Sequence, residues 1–130
     1  RISLRIEEAV NSSSVKTITR LLYKTLQHQE DDLRVFIYAW NALEAFVKAC
    51  ENRYKQQPEI SKSEVMNGFN RIAQTLFPTD ATDDVDTVDN LRKLRNALMH
   101  GENVRDNQLP THEVQKILFR YLAAHFDRIK

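Results

Sequence analysis

A chain of 130 residues, 42% hydrophobic and 28% charged, holds apolar material for one packed core rather than two, so a single domain over 1–130 is expected. A net charge of +1 excludes a surface given over wholesale to phosphate backbones, and a lone cysteine, Cys50, excludes an internal disulfide or a cysteine-pair metal site. No apolar run approaches the roughly 20 residues of a membrane span and no leader of signal-peptide type is visible, so a soluble, cytoplasmic protein is expected, with no membrane partner.

Scarce turn material, 2 glycines and 3 prolines, favours long helices. Residues 1–14 read as an N-terminal extension, and the chain, which starts at Arg1, reads as part of a longer protein. Ile2, Leu4 and Ile6 alternate like a strand whereas Ile2, Ile6 and Ala9 suit a helix, and helix is the reading adopted. The Ser12–Ser14 run then starts a helix that carries Val15, Ile18, Leu21, Leu22 and Leu26. Asp31 or Asp32 caps the next and longest element, whose stripe is Leu33, Phe36, Ile37, Trp40, Leu43, Val47, Cys50 and Tyr54. A second line of Val35, Ala39, Ala42, Phe46 and Ala49 gives this helix a second apolar side and makes it central.

Ser61 and Glu64 fit a capping box ahead of Val65, Met66, Phe69, Ile72, Ala73, Leu76 and Phe77, a stripe that Pro78 stops. A fourth helix runs from about Asp84 through Val85, Val88, Leu91, Leu94 and Leu98 and ends at Gly101, the residue favoured just past a helix C-terminus. The last follows Pro110, with Thr111 as its cap, and buries Val114, Ile117, Leu118, Tyr121, Leu122 and Phe126. With no repeat or linker, the expected architecture is all-α, an antiparallel helical bundle of about five helices.

Two charges interrupt these stripes. At about 100° per residue Glu44 falls inside the apolar arc of the central helix, and Arg95 inside that of the fourth. A charge aimed at a core is costly unless paired, so Glu44 is expected to support Arg95, unless it escapes to water at the edge of its stripe. His100 follows Arg95 by five residues, a rotation of about 140°, so one ideal helix does not focus both on one atom. Convergence calls for a loosened helix end or a second copy of the motif, as a homodimer provides. Asn96, four residues before His100, is placed to orient the imidazole. Arg92, Lys93 and Arg95, with Arg105 close behind, form a local basic cluster, which is either a solvated helix face or a phosphate contact.

The run Arg95, Asn96, Ala97, Leu98, Met99, His100, followed by Gly101, resembles the Arg, polar residue, three others, His signature of the HEPN superfamily. The segment "FIYAWNALEAFVKA" is similar to the second helix of those bundles, and the resemblance covers residues 15–130. It implies metal-independent RNA cleavage, with no cofactor, in a homodimer whose two motifs face each other. Arg95 and His100 would then be catalytic, helped by Asn96 and Glu44, and Arg92, Lys93 and Arg105 would hold RNA. A toxin–antitoxin or phage-defence role, with an antitoxin or a further domain as partner, belongs to the same implication, as does the rival of a non-catalytic interaction module. The sequence departs from the pattern at Glu102, where some of these toxins carry a modifiable Tyr.

Other arrangements carry less. Asp80, Asp83, Asp84, Asp86 and Asp89 lack the Gly and terminal Glu of a calcium loop and suit a helix N-terminus instead. His125 interrupts the last stripe as a hydrogen-bonded core or interface residue, while His28 and His112 fall near helix ends. Cys50 lies in the central stripe as an inert small hydrophobe. No glycine-flanked elbow surrounds any serine, so acyl transfer has no support.

Overall fold

The computed structural model describes residues 16–22, 32–101 and 109–129, and these are α-helical in five stretches joined without strands. Helix α1 is seen over residues 16–22, α2 spans Asp32–Cys50, α3 Glu64–Leu76, α4 Ala81–Met99 and α5 Thr111–Arg128. The protein is an all-α helical bundle, and its buried side chains, from Ile18 of α1 to Leu122 of α5, form one continuous core. The readings placed on residues 1–15, Leu26, His28, Asp31, Glu102 and Arg105 lie outside the described residues.

Both apolar lines of α2 are covered. Phe36, Trp40, Leu43 and Val47 on one line and Val35, Ala39, Ala42 and Phe46 on the other are all buried, which makes α2 the helix around which the rest assembles. Leu33 departs from expectation at 42% exposure. A 3-10 turn at Glu51–Arg53 tightens the helix end, and Tyr54 N–H bonds Glu51 O at 3.1 Å. That turn folds Tyr54 back into the core although it stands outside the helix.

The cap of α3 is Ser63, not Ser61: Ser63 Oγ accepts from Met66 N–H, and Glu64 is the first helical residue. Ser61 belongs to a clamp that precedes the helix. Asn67 Oδ1 accepts from the amides of Ile60 and Ser61 at 2.9 and 3.1 Å, and Asn67 Nδ2 donates to Ser61 O at 2.7 Å. Gly68 is where α3 presses on the end of α2, since an added Cβ would meet Val47 Cγ1 at 2.6 Å and the Glu51 carboxylate closer still. Pro78, which has no amide hydrogen to give, ends α3 as expected, with Phe77 closing the last turn.

Helix α4 begins at Ala81 rather than Asp84. The turn at Phe77–Asp80 runs directly into it through Asp80 N–H to Phe77 O at 3.0 Å and Asp84 N–H to Asp80 O at 2.9 Å, and Ala81 is fully buried. The carboxylates of Asp83 and Asp84 therefore sit in the first turn, where the helix dipole favours them. In α5, Pro110 occupies the cap position and Thr111 the first helical one, so Thr111 does not cap, and its hydroxyl is buried without a partner. Among the described residues no helix is long and apolar enough to cross a membrane.

Candidate functional site

The last turn of α4 explains why Arg, Asn, His and Gly stand together. His100 N–H reaches Asn96 O at 3.0 Å and Ala97 O at 3.2 Å, Gly101 N–H reaches Leu98 O at 3.1 Å, and Gly101 adopts φ 79°. This is a left-handed helix stop, a conformation glycine enters without the Cβ penalty. The stop leaves the His100 side chain exposed, beside Met99 at 60% exposure.

Arg95, one turn earlier, is half-buried. Its Nη1 donates to Asn96 Oδ1 at 3.4 Å and its Nε is buried without a partner. The hydrogen bond seen for the Asn96 side chain thus goes to the guanidinium rather than to the imidazole. The side chain turns sideways to its neighbour, while only the Asn96 backbone carbonyl reaches His100. Glu44 is half-buried on α2, and among the described residues no hydrogen bond or ion pair joins it to Arg95. The expected Glu44–Arg95 pair is therefore not formed, for α2 meets α4 over a small area while α3 packs along α4. Trp40 Nε1, Arg71 Nε and Thr111 Oγ1 are the other buried polar side-chain atoms without partners among the described residues.

The neighbouring cations are treated differently. Arg92 bonds Asp89 Oδ1 through Nε at 3.0 Å and Nη2 at 2.9 Å, and Lys93 Nζ lies 3.3 Å from Asp89 Oδ2. Burial raises the Asp89 pKa, but hydrogen bonds and charge from Arg92 and Lys93 outweigh it and hold the carboxyl below its ordinary range. The basic pair expected to meet RNA thus carries its own counter-charge. Both residues line a groove of about 560 Å³ between α3 and α4, with Met66, Asn70 and Gln74 on one wall and Thr82, Val85, Asp86 and Asp89 on the other. Sequence reasoning missed this groove. Its signal was Asn70, a polar residue set among the apolar stripe positions of α3.

At the opposite end of α4, Asp84 is buried and fully engaged. Its Oδ2 accepts from Tyr121 OH at 2.5 Å and from Arg120 Nη2 at 2.7 Å, Asp80 adds a contact at 3.3 Å, and Arg120 stacks over Phe77 at 4.2 Å. Burial first, then the Asp84 hydrogen bond and charge, push the Tyr121 pKa far up, so the phenol stays protonated. Through Asp84 Oδ2 this cluster fastens α4 to α5.

A third polar group lies where α2 and α5 share an end. His125 is 4% exposed and bridges Tyr54 OH, 2.5 Å from Nδ1, and Cys50 Sγ, 3.5 Å from Nε2. Burial, followed by the charges of Arg53 and Arg128, depresses the His125 pKa to about 4, and burial raises Cys50 to about 11 against the pull of Arg53. A neutral imidazole beside a protonated thiol is no nucleophile pair; the group is a core network, as the sequence suggested for His125 and Cys50.

Among the described residues no three His, Cys, Asp or Glu side chains gather in a way that would hold a metal ion. Comparison with family models, with curated proteins and with solved structures finds no match to this chain.

Proposed function

We propose that the protein is a metal-independent endoribonuclease that works as a homodimer, with Arg95 and His100 as catalytic residues. One observation carries this reading. Among the described residues Arg92 and Arg120 are neutralised by aspartates, whereas Arg95, which like Arg71 has a buried Nε without a partner, bonds a neutral amide and alone of these stands one turn before an exposed histidine at a helix end. A half-buried guanidinium without a carboxylate is suited to a phosphate, which it can grip through two N–H groups.

Imidazole is the side chain whose ordinary titration lies near neutrality, so His100 can take the proton of the ribose 2′-hydroxyl as that oxygen attacks phosphorus. The P–O5′ bond breaks and the leaving 5′-oxygen receives a proton, from His100 of the second copy in a composite site. Arg95 stabilises the charge of the five-coordinate phosphorus. The products are a 2′,3′-cyclic phosphate and a 5′-hydroxyl. Asn96 positions the guanidinium, Glu44 supports it across the assembled dimer, and Arg92, Lys93 and Arg105 track the RNA backbone. A role in toxin–antitoxin or phage-defence systems, with an antitoxin partner, is consistent with such an activity in a cytoplasmic protein.

The test is incubation with end-labelled RNA in excess chelator. Cleavage with cyclic-phosphate ends, at twice the chain mass by light scattering, is the expected result. Intact RNA at every concentration would sink the proposal. The second reading, a non-catalytic interaction module, is favoured by the exposed Met99 beside His100 and by the absence of any Arg95–His100 contact within the chain, and it predicts a dimer without cleavage.

A further inference from the structure

We infer that the groove between α3 and α4 is a subsite for one unstacked nucleobase of the strand that His100 cuts; this rests on the ribonuclease reading above. The groove's α4 wall is a helical stripe, Thr82, Val85 and Asp86, Asp89, Arg92 and Lys93. Continued at about 100° per residue, the stripe reaches Asn96 and then His100, which returns to within about 20° of the Lys93 direction, whereas Arg95 points about 160° away. The groove and His100 therefore share one face of α4. A strand lying along that face would place its scissile phosphate at the helix end and a neighbouring base in the groove.

The lining suits a base. About 560 Å³ is within the ordinary range for small-molecule pockets and exceeds one nucleoside. Val85 and Ile60 supply apolar surface for the ring faces above the buried Met66, and the Asn67 clamp on the amides of Ile60 and Ser61 fixes that rim before any ligand arrives. Asn70, 6% exposed, accepts from Gln74 Nε2 at 3.3 Å. That bond aligns two amides and leaves Asn70 Nδ2 as a donor and Gln74 Oε1 as an acceptor, neither bound to another described residue. Adjacent donor and acceptor groups are what the polar edge of an unpaired base offers in complement, and Asn and Gln are recurrent readers of such edges. Asp86 lies toward the Thr82 end, where it can accept from an exocyclic amine, while Arg92 and Lys93, which share the Asp89 carboxylate, lie toward the His100 end, where a phosphate would compete with Asp89 for their N–H groups.

The experiment is a titration of the whole chain, with side-chain amides labelled for NMR, by each of the four nucleoside 5′-monophosphates in turn. Saturable shifts of the Asn70 and Gln74 amide signals with at least one nucleotide, in the range of about 0.1–10 mM, are expected. Asn70→Ala should weaken that binding about tenfold, and Lys93→Gln, at an exposed position that folding does not depend on, should weaken nucleotides but not the free nucleoside. With RNA as substrate, Gln74→Glu should change which base is preferred beside the cut. Absence of saturable shifts with all four nucleotides, or shifts that Asn70→Ala and Lys93→Gln leave untouched, overturns the inference. RNA cleavage that persists in that case keeps the ribonuclease reading, and nucleotide binding in a chain that cuts no RNA supports the groove while removing that reading.

Discussion

At its N-terminal end α4 carries a carboxylate, Asp84, that meets an arginine and a phenol of α5, and that arginine in turn stacks over the Phe77 ring. At its C-terminal end the same helix carries a guanidinium, Arg95, whose one hydrogen bond among the described residues goes to the amide next door and whose Nε is buried without a partner there. Buried charges are retained at a net cost unless neighbours satisfy them. Among the described residues the first arrangement has covered that cost and the second has not. On the ribonuclease reading proposed above, the phosphate of RNA supplies the charge that no described residue gives Arg95. The difference divides α4 into a fastened end and an open end, and each end answers differently to substitution.

The largest effect is expected at the fastened end. Asp84→Ala strips Arg120 and Tyr121 of their shared acceptor and should cost about 3–5 kcal/mol of stability, read as a fall in the urea midpoint. A loss below about 1 kcal/mol would mean that water replaces the carboxylate easily, and the contrast between the two ends would collapse.

Acid should act on the His125 network. The folded chain protonates His125 only near pH 4, against an ordinary value of 6.5, while the unfolded chain protonates freely. The stability tied to a neutral His125 is therefore fully present above pH 6.5 and is lost as pH falls toward 4, by roughly 3 kcal/mol at most. His125→Gln should flatten that part of the stability curve, and thermal melts of the parent and the variant across this window check it.

At the open end the expected loss is of rate rather than of fold. His100→Ala should lower RNA cleavage by about two orders of magnitude or more, with the melting temperature nearly unchanged. Gly101→Val should do the reverse, because a β-branched residue resists φ 79°, and roughly 1–2 kcal/mol of stability should go with it. If His100→Ala damaged the fold and spared the rate, the stretch would be a helix stop and nothing more.

The sequence made the helices legible because burial imposes a period of 3.6 residues, and the two lines of α2, the Pro78 stop and the Gly101 stop follow from local rules alone. It misplaced features that depend on which of two local options wins. Ser61 and Ser63 are both capable caps, and the Asn67 clamp takes Ser61 out of contention. Ala81 looks unremarkable until the Phe77–Asp80 turn is known to run into it. Long-range pairs were beyond reach for another reason: periodicity gives the direction in which Asp84 or Tyr121 points, not the side chain met there. Arg95 and His100 were legible as an oddity of placement, while Asn96's attachment to Arg95 depends on a rotamer that no spacing specifies.

The smallest predicted effect concerns Glu44 and separates two states of the open end. In the single chain Glu44 and Arg95 are not joined, so Glu44→Gln removes no pair and should change stability by less than about 0.5 kcal/mol in chains dilute enough to be monomeric. If a second copy completes the site and brings a carboxylate to the guanidinium, the same substitution acts on assembly. The dimer dissociation constant measured by sedimentation should then rise about three- to thirtyfold, the equivalent of roughly 0.7–2 kcal/mol, while the monomer's melt stays put. An unchanged dissociation constant, with cleavage intact, would remove Glu44 from the site and leave Arg95 to be neutralised by the RNA phosphate alone. A large loss of monomer stability would instead reveal an ion pair within the chain, and the open end of α4 would have to be redrawn as a second fastened one.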